Sequence, residues 1–195
     1  MKPITFEETL SLADYERVRA RLRPLFIHEK ERRRLTVGSH LTFIFENAQT
    51  VWYQVQEMIR TEKMTARAAV QHELDTYNEL IPAPGSLSAT LLIEYAESAE
   101  RDAALRRLVG LERHLWLTLG AARIAASFDD RQTSTERISA VQFVRFAPAG
   151  GIDADEFSEL AARGEAAIVA DHPSLAARGA ISGPLAGALA EDLRS

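Results

Sequence analysis

Four side chains offer the chemistry of a metal site: His40, Glu46, Glu94 and His114. The chain contains no cysteine. A divalent ion would therefore be held by imidazole and carboxylate, a donor set that suits several divalent metals. The same groups could also exchange protons as general acid and base. The four residues stand on three segments with a period of two. Leu41, Phe43 and Phe45 alternate with His40, Thr42, Ile44 and Glu46. Ala89, Leu91 and Ile93 alternate with Thr90, Leu92 and Glu94. Leu115, Leu117 and Leu119 alternate with His114, Trp116 and Thr118. One face of each predicted strand is fully apolar and the other is mixed. If the three strands share a sheet, the mixed faces bring the two carboxylates and two imidazoles together. A half-polar sheet face turned to water accounts for the same pattern.

The second candidate is the polar set that follows the first of these strands. Glu46, Asn47, Thr50, Gln54, Glu57, Arg60 and Glu62 crowd a strand-to-helix junction and the helix after it. That density fits a pocket rim or a partner surface. Glu62 falls on the wheel inside the stripe of Val51, Val55, Met58 and Ile59. It must be paired or protonated there, or lie beyond the covered part of the helix. Asp171-His172-Pro173 forms an expected turn in which Asp171 could orient the His172 ring. The run Lys30 to Arg34 could bind an anion, yet Glu29 and Glu31 reduce its charge. No interleaved aromatics support base stacking. No serine nucleophile elbow, phosphate-binding glycine loop or HExxH motif is present.

Several elements position these groups. Ser11 with Asp14 signals a helix start, and Pro24 should kink or restart that helix. A strand is expected over 35–46, with a turn or bulge at Gly38-Ser39. Helices follow over about 50–64 and 66–80, and Pro82-Ala83-Pro84-Gly85 ends the helical region. Strands are expected over 88–95, 114–119, 122–128 and 138–146. A helix covers 99–109, with Gly110 as its C-cap, and a polar loop spans 129–135. After the linker Pro148-Ala149-Gly150-Gly151 come a helix near 153–162, a short strand at 166–170 and a weakly helical tail over 185–193. The expected fold is α+β: a largely antiparallel sheet of about six strands, with an N-terminal group of three helices packed on one face. One domain over 1–195 is expected, with a possible C-terminal subregion at 152–195.

The 195 residues carry 23 basic and 28 acidic side chains, a net charge of −5. That balance argues against general nucleic-acid affinity. No apolar run approaches the roughly 18 residues that cross a bilayer. The N-terminus lacks the apolar stretch of a signal peptide. A cytoplasmic protein without a membrane partner is expected, and a homo-oligomer is compatible with the sequence.

The string Phe45 to Glu62, FENAQTVWYQVQEMIRTE, resembles the core motif of an uncharacterised bacterial family, the domain of unknown function 3501. Similar marks are Lys30 with the following arginines, Tyr77-Asn78-Glu79-Leu80-Ile81-Pro82, Ala89-Thr90-Leu91, Ser139 to Phe143, and Asp171-His172-Pro173. The likeness covers roughly 12–193, although Ser174-Leu175 stand where an aromatic would follow the last motif. It adds Tyr77 and Asn78 to the candidate ligand or partner surface. It implies no established activity. It does imply an accessory or ligand-binding role beside redox or peroxide-defence enzymes, with an oxidoreductase or rubrerythrin-like partner. The alternative is a metal-dependent enzyme built on the Glu/His set.

Overall fold

The computed structural model describes residues 1–129 and 135–195. The polar loop expected over 129–135 therefore lies largely outside the described residues. Helix α1 spans Leu12–Arg32, and its Ser11 cap accepts a hydrogen bond from the Asp14 amide. Pro24 sits inside this helix without ending it. Strands β1 (Arg34–Val37) and β2 (Leu41–Phe45) form an antiparallel hairpin. What reads as one bulged strand is thus two, because Gly38 takes a positive φ of 63° and reverses the chain. Helices α2 (Ala48–Thr61) and α3 (Arg67–Asn78) follow, then β3 (Leu87–Ile93) and α4 (Ser98–Arg107). Next come β4 (Leu115–Leu119), β5 (Ala122–Ala125), β6 (Ser127–Phe128) and β7 (Val141–Phe146). The chain closes with α5 (Ala154–Ala162), β8 (Ala166–His172), β9 (Leu175–Ala180) and α6 (Gly183–Leu193).

The α+β class with antiparallel pairing is as expected. The arrangement differs in strand grouping: among the described residues the strands form two sheets instead of one. Their orders are β1-β2-β3-β7-β6 and β5-β4-β8-β9. Strand β9 is an addition, since Pro173 reads as the end of extended structure but serves as the corner of a β8–β9 hairpin.

The apolar faces read from the sequence are the buried ones. Leu41, Phe43, Phe45, Leu91, Leu115 and Leu117 are each 0% exposed. They join one core with Leu105 of α4, Phe157 of α5 and Leu189 of α6. At about 25 cal/mol per Å² of apolar surface, this shared interior is the main source of stability. A second core lies under α2 and α3, where Val51, Val55, Ile59, Val70 and Leu74 meet Ile4, with Phe143 of β7 packed against it. The two sheets also touch edge to edge. A Cβ on Gly179 of β9 would come within 2.7 Å of Val37 in β1, so only glycine fits there. No helix among the described residues is long and apolar enough to cross a membrane.

Candidate functional site

The proposed metal ligands do not converge. His40 lies at the start of β2, where its Nδ1 is 3.0 Å from the Glu94 carbonyl oxygen and its ring stacks on Tyr95 at 3.9 Å. The antiparallel register pairs Leu41 with Ile93 and Phe45 with Ala89. Glu94 therefore follows β3 toward His40 and away from Glu46. Six residues of extended chain separate Glu46 from His40, about 20 Å at the usual rise per residue. His114 immediately precedes β4, in the other sheet. The set His40, Glu46, Glu94 and His114 is thus corrected by sheet order, which strand parity does not specify. Among the described residues no three His, Asp or Glu side chains form a group that could hold a metal.

Asp171 does not orient His172. Adjacent strand residues face opposite ways. Asp171 is exposed, whereas His172 is 7% exposed, with its Nε2 3.2 Å from the Val109 carbonyl oxygen. The Ser174 amide donates to its Nδ1 at 3.1 Å. The carboxylate of Asp171 instead meets His114 Nδ1 at 3.1 Å, Trp116 Nε1 at 3.1 Å and the Arg123 guanidinium at 2.5 Å. The hydrogen bonds from Arg123 and Trp116 lower its pKa from the ordinary 3.8 to about 2.

Most of the polar junction holds the fold together. Asn47 and Thr50 form a reciprocal cap, with Thr50 N donating to Asn47 Oδ1 at 2.8 Å and Asn47 N donating to Thr50 Oγ1 at 3.0 Å. Glu57 takes a bidentate pair of bonds from Arg19 at 2.7 and 2.9 Å and a third from the Tyr15 hydroxyl at 2.6 Å. The Arg19 bond holds the Glu57 carboxyl below its usual range. Arg60 reaches Glu16 at 2.6 Å, which again joins α2 to α1. Glu62 is the exposed C-cap of α2. Tyr77 packs on the second core, and Asn78 bonds the Ile4 backbone at both its N–H and its carbonyl. The Lys30 to Arg34 run is absorbed in the same way. Arg33, 1% exposed, pairs with Glu29 and Asp192, while Arg32 pairs with Glu29.

Glu46 is different. It is 3% exposed, directly beyond β2. Its carboxylate accepts hydrogen bonds from Thr50 Oγ1 at 2.5 Å, Gln54 Nε2 at 3.0 Å and Thr90 Oγ1 at 2.6 Å. All three donors are neutral. Among the described residues no Lys, Arg or His forms an ion pair with it. Glu46 lines a cavity of about 460 Å³ on the outer face of the first sheet, together with Ser88, Phe143 and Arg145, and the cavity extends to Phe128 at the β6 edge. Arg145, at the rim, donates to the Glu79 carbonyl oxygen. The volume lies in the range of small-molecule sites. Phe143 and Arg145 enter the cavity because β7 pairs with β3, placing Phe143 opposite Thr90 and Arg145 opposite Ser88. Their alternation in the sequence marks a shared face, but nothing local says which strand lies beside them.

A larger hollow of about 730 Å³ lies against α1, α2 and the N-terminal segment, walled by Leu22, Leu25, Phe26 and Trp52. Its acidic residues are already ion-paired, Glu8 with Lys2 and Glu29 with Arg32 and Arg33.

Fold and site define an α+β protein with two antiparallel sheets and a buried carboxylate at a cavity wall. The chain belongs to the family described as protein of unknown function (DUF3501), which it matches over residues 3–193. It is similar to a crystal structure described as a novel protein of unknown function from Burkholderia pseudomallei K96243. That match has 34% sequence identity and a TM-score of 0.86, covering 98% of this chain and 100% of the other. No curated protein matches the chain.

Proposed function

We propose that the protein is a ligand-binding accessory protein whose site is the cavity on the outer face of the first sheet. The supporting observation is Glu46, a nearly fully buried carboxylate that has three neutral donors and no cationic partner. Burying a charge without an opposite charge is costly. Elsewhere this chain pairs its buried charges, as at Arg33 and Asp192. A carboxylate left without a cation beside a cavity is organised to meet something that enters. The likeness to the family extends the proposal to a redox or peroxide-defence setting, with an oxidoreductase or rubrerythrin-like protein as partner. The dispersed His40, Glu46, Glu94 and His114 leave a Glu/His metal enzyme without a site among the described residues.

The test is an NMR titration of the purified protein with a panel of small cationic, anionic, zwitterionic and neutral metabolites. At least one class should perturb Glu46, Thr90, Phe143 and Arg145 together. Perturbations confined to other regions, or none from any class, would overturn the assignment of this cavity.

A further inference from the structure

Resting on that cavity assignment, we infer that the ligand is an organic ammonium ion, with its charged nitrogen against Glu46 and its hydrocarbon part against Phe143. Three features select this class. The buried wall offers a carboxylate whose hydrogen-bond donors, Thr50, Gln54 and Thr90, carry no charge. An incoming ammonium would be its first cationic partner among the described residues, and a charge-assisted hydrogen bond is about twice as strong as a neutral one. An anion at the same wall would face the buried Glu46 carboxylate, and the repulsion from a buried charge is weakly screened. On the same sheet face as this carboxylate the cavity presents the phenyl ring of Phe143, which is half-buried and stands opposite Thr90. Aromatic faces attract alkylammonium groups and accept the attached methylenes.

Among the described residues the one guanidinium lining the cavity, that of Arg145, does not reverse this preference. It is exposed and turned to the Glu79 carbonyl oxygen. It stands two strands from Glu46, across Ser88. Strands lie about 4.8 Å apart, so the two Cα atoms are about 10 Å from each other. The cationic group therefore lies at the rim while the carboxylate lines the buried wall. An ammonium entering past the rim meets Phe143 and then Glu46. A bare inorganic cation is a poorer fit, because among the described residues Glu46 belongs to no group of three His, Asp or Glu side chains that could hold a metal.

The test uses calorimetric titration of the full chain with n-butylamine, 1,4-diaminobutane, butanoate and n-butanol at neutral pH and low salt. Both amines should bind, at least tenfold more tightly than butanoate or butanol. Glu46→Gln keeps the shape of the side chain but removes the charge. It should weaken amine binding at least tenfold and leave butanol unaffected. Phe143→Leu, which leaves Glu46 in place, should weaken the amines several-fold and serves as a second probe if Glu46→Gln fails to fold. Butanoate or butanol binding in the cavity as well as the amines would overturn the ligand class while the cavity assignment stands. Unchanged amine affinity in folded Glu46→Gln would overturn the role of Glu46. If no probe binds and the wider metabolite panel also leaves the cavity unperturbed, both inferences fail.

Discussion

Two carboxylates at strand ends show how environment separates residues that read alike in a sequence. Glu46 is buried among neutral donors. Asp171 is exposed and ringed by Arg123, Trp116 and His114, which pull its pKa down to about 2. Because that folded value lies below the ordinary 3.8, its contacts stabilise the fold fully above about pH 4 and fade as pH falls toward 2. Asp171→Asn should therefore lower the urea midpoint at pH 7, and the gap from the unaltered protein should narrow steadily below pH 4. A gap that stays constant from pH 7 to pH 2 would show that the charge of Asp171 contributes nothing. Asp171 cannot orient His172 as expected, since strand alternation sends the two side chains to opposite faces.

At the scale of elements, two amides fasten the N-terminal segment to the helices. Asn78 of α3 accepts from the Ile4 N–H at 2.8 Å and donates to the Ile4 carbonyl at 2.9 Å. Gln56 of α2 accepts from the Leu10 N–H at 2.8 Å and donates to the Leu10 carbonyl at 3.4 Å. Each amide imitates a neighbouring strand. Trp52 adds a bond from its indole N–H to the Glu8 carbonyl at 2.8 Å. The segment thereby sets Ile4 into the second core without becoming a strand itself. Removing one such amide leaves a partly buried backbone pair without partners, at a cost of about 1–3 kcal/mol. Asn78→Ala should speed amide hydrogen exchange at Ile4 while leaving Phe43 of the main core unchanged. Equal protection at Ile4 in both proteins would show that the amide does not hold the segment. These roles explain why the density of polar residues along α2 overstates the size of a binding surface. Glu57, Arg60, Gln56 and the Asn47–Thr50 cap are spent on helix ends and neighbouring segments.

At the scale of the whole molecule, a buried ion pair joins the first helix to the last. Arg33, the C-cap of α1, is 1% exposed and binds both oxygens of Asp192 in α6, one of them at 3.0 Å. Glu29 completes the network from the preceding turn of α1. Nearby, the terminal amino group of Met1 donates to the Ser195 carbonyl at 2.9 Å. Breaking a buried pair from one side strands the other charge and costs about 3–5 kcal/mol. Arg33→Met should lower stability by that amount in urea unfolding, and Arg33→Met with Asp192→Leu should recover much of the loss. If the double variant is no more stable than the single one, the penalty does not come from a stranded Asp192.

The sequence by itself determined what depends on neighbours along the chain. The period of two marked which side of β2, β3 and β4 is buried, because a pleated strand turns alternate side chains to opposite faces whatever lies beside it. The period of 3.6 located the helices, and the residues around Asn47 marked the start of α2 to within a few positions, since caps and turns are local hydrogen-bonding problems. The string from Phe45 to Glu62 carried the family, which the match over residues 3–193 establishes. The tertiary structure decided which strands are neighbours. Sheet order placed β4 apart from β2 and β3, antiparallel register drew Glu94 to His40, and the β3–β7 pairing brought Phe143 and Arg145 to the cavity of Glu46. Parity restricts a side chain to a face, but convergence at a site depends on hydrogen bonds between segments far apart in sequence. Those pairings are chosen by the burial of the whole set of apolar faces at once.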